Sequence, residues 1–396
     1  MTWSRLLMSE LKATFTNASI MMTVFLGVLV YSYLYPLPYS HQTPKEQPFA
    51  VVDLDNSQMS RQLVLMVDAT PQVNIKRKPQ NIDQAKALLI DGVISGFMVI
   101  PRNFYKDTLL DKSPTIAIAA DASYFLIYGT LLEGVIKSAG MLSTTKKISR
   151  AVIAGENMQH KIKTYSPIRL NMKPTFNASL SYVNYVVPAV FILILHQTLL
   201  IAMGLVTAGQ FEQEMQTKLQ DKKNGLTCYW LIFPAWKVLF IRASIMVIIY
   251  SFLFMYYAGF SFDHYHINRL AHIGDLFALL LPFLLSVIFL GVIIGLLIPR
   301  KELATIVVLL SSLPLVFSAG FIWPVSNMPT FINIVANLFP STAAIQAFLK
   351  VNQMGASFDS VRGLWIQLWA LSSLFGLGAL LLMQAKQKKL LTQSTT

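Results

Sequence analysis

The 396-residue chain is 54% hydrophobic and 13% charged, with mean hydropathy +0.54, whereas soluble domains carry about a quarter charged residues. That excludes an ordinary water-soluble globule and predicts an integral membrane protein. The net charge of +13 is scattered among apolar spans, which points to orientation in a membrane and to anionic lipid headgroups, not to nucleic acid; the single cysteine, Cys228, excludes an intramolecular disulfide and a structural Cys cluster for zinc.

Residues 1–17 contain the amphipathic "WSRLLMSELKATF" and predict an interfacial helix leading into a first span at 18–37. Arg5 and Lys12 precede that span as they would in a signal peptide. Its end, "YSYLYPLP", offers interfacial aromatics and no small-residue cleavage site, so it reads as an uncleaved anchor.

Residues 38–180 alternate strand-like and helix-like runs. "FAVVDLD" is a buried strand, "SQMSRQLVLMVDA" a helix capped by Ser57, "QVNIKRK" a strand, and "NIDQAKALLIDG" a helix closed by Gly92. "VISGFMVIP" then reads as a strand, "PRNFYKDTLLDK" as a helix with Pro101 in its first turn, and "TIAIAAD" as a strand. An apolar helix at about 123–156 follows, and a return segment with Pro167 and Pro174 leads back to the membrane. This is an α/β domain with a covered sheet. The helix is not a crossing, because Glu133 and Lys137 are spaced i, i+4 as on a wet face and would be expensive at membrane depth. Asp53, Asp55, Asp91 and Asp121 fall at element ends, where they could bind a metal or cap turns. "DLDNS" favours the turns, and His41 and His160 have no ligand spacing.

Five further spans fall at 181–207, 232–259, 274–298, 303–323 and 363–383. The expected fold is therefore an α-helical polytopic membrane protein with six transmembrane helices and an α/β extracytoplasmic domain between the first two. Short-loop Lys and Arg number eleven on the side of the termini against Arg269, Lys350 and Arg362 on the other, which predicts both termini, including the basic tail 384–396, in the cytosol.

Few polar residues lie in the spans: Asn184, His196 and Gln197 in the second, Ser311, Ser312 and Ser318 in the fifth. His196 is nearly alone as an ionisable group at depth. Two readings stand: His196 and Gln197 hydrogen-bond a neighbouring helix, or these residues line a translocation path. The loop 208–231 carries Phe211, Met215 and Leu219 every fourth residue, with Glu212, Glu214 and Lys218 between them. That predicts a short amphipathic helix, ended by Asn224 and Gly225, that lies on headgroups or docks on a soluble partner.

Residues 324–362 follow the fifth span. Trp323 and Pro324 mark its interface, Pro329 starts a short helix, and a second begins at Pro340; "TFINIVANLF" is too short to cross. The pair either dips into or lies on the outer leaflet, or merely connects spans. There is no phosphate-binding loop and no hydrolase or kinase signature, so the chain is expected to be no enzyme and to bind no cofactor.

This order of parts resembles the permease subunits of type-2 ABC exporters, in the branch with an external domain after the first span. The resemblance is carried by "VVDLDNSQMSRQLVLMVDATPQV" at 51–73, "DASYFLIYG" at 121–129, "GFIWPVSNMP" at 320–329 and "FPSTAAIQAFLKVNQMGAS" at 339–357. It implies a bacterial inner-membrane protein that pairs with a second permease chain, as homodimer or heterodimer, and with two cytosolic ATPase subunits that bind ATP and Mg. It implies that the 211–223 helix, with Phe211, Glu212, Glu214, Met215, Lys218 and Leu219, couples to the ATPase, although "EQEMQTKLQDKK" departs from the Arg-richer family loop. It further implies an external gate at Trp323, Pro324, Pro329, Val335 and Pro340, and docking of a periplasmic adaptor and outer-membrane channel. An apolar bundle suits an amphiphilic or drug-like substrate. The alternatives are an ATP-independent receptor or scaffold, and a secondary transporter.

Overall fold

A computed structural model describes residues 3–39, 44–110, 112–123, 125–153, 181–220 and 229–395. Pro167, Pro174, His41, His160, Cys228 and the Asn224–Gly225 helix end lie outside the described residues, as do the side chains of 215–220 and so of Met215, Lys218 and Leu219. The chain divides into two compact units, Met1–Gln42 with Pro174–Thr396, and Thr43–Lys173.

The smaller unit is built on β1 (Gln47–Asp53), α3 (Gln58–Asp68), β2 (Val73–Arg77), α4 (Ile82–Ile90), β3 (Gly96–Ile100), α5 (Phe104–Leu109), β4 (Ala117–Ala120) and α6 (Phe125–Ile153), the labels α1 and α2 being kept for the two helices that precede it in the chain. The sheet order is β2-β1-β3-β4, with β1 parallel to both neighbours and β4 antiparallel to β3. Successive side chains of β1 point to opposite faces. Phe49 and Val51 therefore meet Leu63 and Val67 of α3 and Val135 of α6, whereas Ala50 and Val52 meet Ala85 of α4. A strand covered on both faces needs an unbroken apolar run, and "FAVV" is one.

The aspartates here hold turns. Asp53 accepts the Asp55 and Asn56 amides at 3.1 and 3.0 Å and the Ser60 hydroxyl at 2.6 Å; Asp55 accepts the Tyr105 amide and Asp121 that of Ser123. Among the described residues no three potential metal ligands cluster. Ser57 caps α3, Gly92 follows α4 at φ 69°, and Lys137 pairs with Glu133 on an exposed face. Pro101 does not start a helix: it follows Ile100, which stays extended and paired with Asp53, and α5 begins after Asn103 at φ 63°. A residue before proline is held out of the α region, and asparagine tolerates the left-handed turn.

The larger unit begins with α1 (Trp3–Phe15), and among its described residues six helices are long and apolar enough to cross a membrane: α2 (Ala18–Tyr39), α7 (Tyr182–Gln220), α9 (Ala235–His264), α10 (Ile273–Leu297), α11 (Lys301–Ser318) and α14 (Phe358–Thr395). A single turn, α8 (Tyr229–Ile232), precedes α9. Buried residues of α2 recur as Ile20, Val24 and Val28, leaving Met22, Leu26 and Leu29 outward as lipid contact requires. Near the other end of α9 the Tyr257 hydroxyl donates to the Val28 carbonyl at 2.8 Å, and the Ser32 and Tyr256 hydroxyls are 3.0 Å apart, tying α2 to α9.

The axis of the unit is α7. Gly291 and Gly295 of α10 face Met203 and Thr207, where an added Cβ would lie 2.5 and 2.6 Å from their Cβ atoms; Gly204 meets Ala304 of α11 in the same way at 2.9 Å. Small residues permit this close approach, and dispersion rather than the hydrophobic effect holds helices together in lipid.

Two boundaries differ from the sequence expectation. The second span does not stop at 207 to be followed by a separate helix: α7 runs on to Gln220, a 39-residue rod of about 58 Å at 1.5 Å per residue. No proline interrupts "GQFEQEMQTKLQ", and its Gln, Glu, Met, Lys and Leu are good helix formers, so the chain has no reason to break. Likewise the basic tail continues α14 as helix.

After α11 come α12 (Thr330–Asn337) and α13 (Pro340–Gln353), bent by 91°. Pro340 takes the first helical position, where its missing N–H is harmless. Pro329 caps α12 from outside rather than starting it. The two differ in burial: Phe331 and Ile334 of α12 and Leu338 just after it are exposed, whereas α13 from Pro340 to Phe348 is buried except at Gln346 and packs on α7, α10 and α14. It is thus neither a surface helix nor a plain connector. Gln367 donates to the Asn337 carbonyl at 2.9 Å, placing the break nine residues, roughly 14 Å, along α14.

Gly295→Leu should separate α7 from α10 and destabilise the bundle by about 1–3 kcal/mol, the usual penalty of overpacking. Thermal unfolding in detergent measures it; an unchanged midpoint would contradict this packing.

Candidate functional site at the basic end of the bundle

The described polar contacts concentrate where α1, the start of α9, the tail of α7 and the end of α14 meet. The buried stripe of α1 is Leu6, Glu10 and Thr14, at i, i+4 and i+8, so a carboxylate occupies an apolar seam. Seven residues into α9, about 10 Å, stands Arg242. Both side chains are 1% exposed.

They form a fork. Arg242 Nε donates to Glu10 Oε2 at 3.0 Å and Nη2 to Glu10 Oε1 at 2.7 Å. Two further donors reach α7, Nη1 to Thr207 Oγ1 at 3.1 Å and Nη2 to Gln210 Oε1 at 2.6 Å. Gln210 in turn donates to the Tyr229 hydroxyl. Burial, then the nearby Glu10 carboxylate, push the Tyr229 phenol above its ordinary range, so it stays neutral. A bidentate pair of this kind is charge-assisted and directional.

Other ties converge on the α7 tail. The Glu212 carboxylate accepts the Lys301 amide at 3.4 Å, serving the open N-terminus of α11. Lys386 of α14 stands 4.1 Å from the Phe211 ring centroid. Gln387 donates to the Phe233 carbonyl at 3.1 Å. At the other end of α1, Trp3 meets Trp236 and Phe240 edge-on, with Lys237 5.3 Å from its ring.

Of the expected coupling residues, Phe211 and Glu212 are half-buried in these contacts. Glu214, which falls between the apolar positions of the sequence pattern, is buried, with Oε2 unpartnered among the described residues. Because α7 is one continuous helix, Thr207, Gln210 and Glu214 fall at i, i+3 and i+7 on one face, the face that Arg242 addresses.

The expected path residues are not gathered in one place. His196 is fully buried, with its ring stacked on Phe283 at 6.4 Å, and neither ring nitrogen nor the Gln197 amide finds a partner among the described residues. Among the described residues the interhelical hydrogen bonds of the first reading are therefore not formed there. Ser311 and Ser312 return their hydroxyls to the Val308 carbonyl at 2.8 and 3.0 Å, and Ser318 is half-buried. Asn184 accepts the Asn268 amide at 3.2 Å, a link continued by Gln353 to the Asn268 carbonyl, so it braces the opposite end of the bundle. An apolar cavity of about 20 Å³ among Phe191, Phe254, Tyr257, Phe262, Phe348 and Asn352 includes none of the six, and holds one water at most. Near the break, Trp323 and Val335 are exposed, and Pro324 precedes a short 3₁₀ turn.

Sequence reasoning missed Glu10 and Arg242. The signal was present: His196 is not nearly alone, because "WKVLFIRASIMVIIY" carries an arginine inside an apolar span, and "LLMSEL" an acid four residues after Leu6. A lone charge in an apolar helix announces a partner of opposite sign elsewhere.

A family model described as ABC-2 family transporter protein matches residues 18–381. Two curated relatives, each a probable multidrug ABC transporter permease YbhR, from Escherichia coli K12 and Escherichia coli O157:H7, are each 22% identical over 385 residues, covering 92% of this chain and 91% of the relative.

Arg242→Ala would leave Glu10 buried and unpaired, and should lower stability by about 3–5 kcal/mol. A wild-type unfolding midpoint in detergent would show that water or another group satisfies Glu10.

Proposed function

The chain belongs to the ABC-2 family of transporter proteins, and from that premise we propose that it is the membrane-spanning permease subunit of an ATP-driven exporter. The observation that carries the coupling role is the continuity of α7: one rod runs from the packed centre of the bundle to Gln220, and its tail is tied to α9, α11 and α14, and through Arg242 to α1. A rigid lever with one end in the core suits a chain driven by an ATPase that binds at the tail. Permease subunits of this family act with such a partner, and a second permease chain completes the translocation unit.

In this reading the basic end faces the cytosol of a bacterial inner membrane, the Thr43–Lys173 unit lies outside, and ATP with Mg binds to the partner ATPase. The apolar bundle and the multidrug description of the two relatives support an amphiphilic, drug-like substrate. Docking of a periplasmic adaptor and outer-membrane channel on the smaller unit belongs to the same proposal. The α12–α13 pair, covered on one limb and exposed on the other, serves as the external gate, with Trp323, Pro324, Pro329, Val335 and Pro340 at its corners. His196, Gln197 and Asn184 with Ser311, Ser312 and Ser318 remain proposed path residues for an open state. Phe211, Glu212, Glu214, Met215, Lys218 and Leu219 are the proposed ATPase-coupling side chains, Glu214 being the buried member of the set.

Purification of the tagged chain in mild detergent should bring an ATPase with it, and Glu212→Lys should reduce that recovery by about tenfold, equivalent to about 1.4 kcal/mol. Equal recovery would move the coupling contact elsewhere, and absence of any ATPase would favour an ATP-independent receptor.

In a Cys228→Ser background, crosslinking Val335→Cys between two copies should stop export while leaving nucleotide binding intact. Undisturbed export would remove the gate.

A further inference from the structure

The Glu10–Arg242 pair is an expensive way to hold two helices together. Two ions taken from water are seldom more stabilising than an apolar pair of similar volume. Nor does α1 need it for anchorage: Trp3 already packs on Trp236 and Phe240 with Lys237 over its ring, and Leu6 is buried in the main core. What the ion pair adds is direction. The same guanidinium that takes both Glu10 oxygens also takes Thr207 and Gln210 on α7, so three helices share one planar donor group. Apolar contacts slide, whereas a fork of this kind keeps its register or breaks.

We propose that Glu10 and Arg242 are positioning residues that lock α1 and α9 to the α7 tail, so that the three move as one body when the ATPase displaces that tail. This rests on the exporter reading above and adds to it a fixed joint: the lead-in helix is a moving part of the coupling element, not a passive float on the headgroups. Thr207 and Gln210 are the sockets on α7. The Gln210 bond to Tyr229 extends the body to the turn before α9.

The test uses the full chain assembled with its ATPase in lipid nanodiscs, with Cys228→Ser and spin labels at Met8→Cys on α1 and Gln213→Cys on α7, both exposed positions. In the otherwise native protein the label-to-label distance should stay the same with ADP, with ATP and with ATP plus vanadate. The comparison variant is Glu10→Leu with Arg242→Met, which removes both charges together and so avoids the unpaired ion that could prevent folding. In that variant the distance without nucleotide should match the native one, and vanadate trapping should move it by about 2 Å or more, the scale of helix shifts in coupled transitions. A purely structural role predicts instead a distance already altered without nucleotide, and that result overturns the proposal. A variant distance that never responds to nucleotide also overturns it. If no ATPase assembles with the native chain, the exporter reading itself fails, an outcome distinct from either.

Discussion

A guanidinium held 1% exposed within an apolar helix has to find an anion and fill its remaining donors, and in this protein the arrangement of one whole end follows from how Arg242 does so. Glu10 supplies the anion, which fixes α1 across the start of α9 in one register. Thr207 and Gln210 supply the remaining acceptors, which fixes the rotation of α7 beyond the packed core. With α7 turned that way, Glu212 meets the amide that opens α11 and Phe211 meets Lys386 on α14. Few alternatives satisfy all of these at once, because a misplaced helix would leave a buried charge unpaired.

The middle of the bundle obeys a different constraint. Lipid gives apolar helices no reason to prefer one another over acyl chains, so contact depends on close approach, and Gly204, Gly291, Gly295 and Ala304 allow it along α7. At the far end the backbone leaves the helix at the α12–α13 break and in the 265–272 connector. Backbone that leaves the helix needs other partners for its amides and carbonyls. Gln367 answers Asn337, and Asn184, Gln353 and Asn352 answer Asn268 and Leu270. Charge and aromatic rings occur at both ends, with a buried ion pair at the first and an exposed one, Arg269 with Asp263, beside neutral amides at the second.

Much of the architecture was legible because it depends on local pattern. Period-two and period-3.6 alternation placed the strands and helices of the smaller unit, and long apolar runs marked the six candidate spans. Short-range stereochemistry gave Ser57, Gly92 and Pro340 their places. Where local rules competed, the reading slipped: Pro101 looked like a helix start, but strand pairing of Ile100 with Asp53 held the chain extended up to it. The break expected after the second span is absent from the helix for a related reason. Hydropathy reports where lipid stops, while helix continuation depends on propensity, which here persists to Gln220.

Contacts between distant segments were not legible. Glu10 and Arg242 are 232 positions apart, and nothing local to either says which partner it takes. The path residues show the converse: Asn184, His196 and Ser311 look alike as polar groups in apolar helices, but one braces a connector, one is buried without a partner among the described residues and one bonds within its own turn. The sequence by itself determined a multi-spanning membrane chain with an α/β insertion and a proline-punctuated half-helix pair, because bilayer thickness, side-chain periodicity and proline stereochemistry act within one segment. Only the tertiary structure decided which polar groups meet, that α13 is inserted among α7, α10 and α14, and that Glu214 faces inward, because those depend on how several helices are rotated against each other at once.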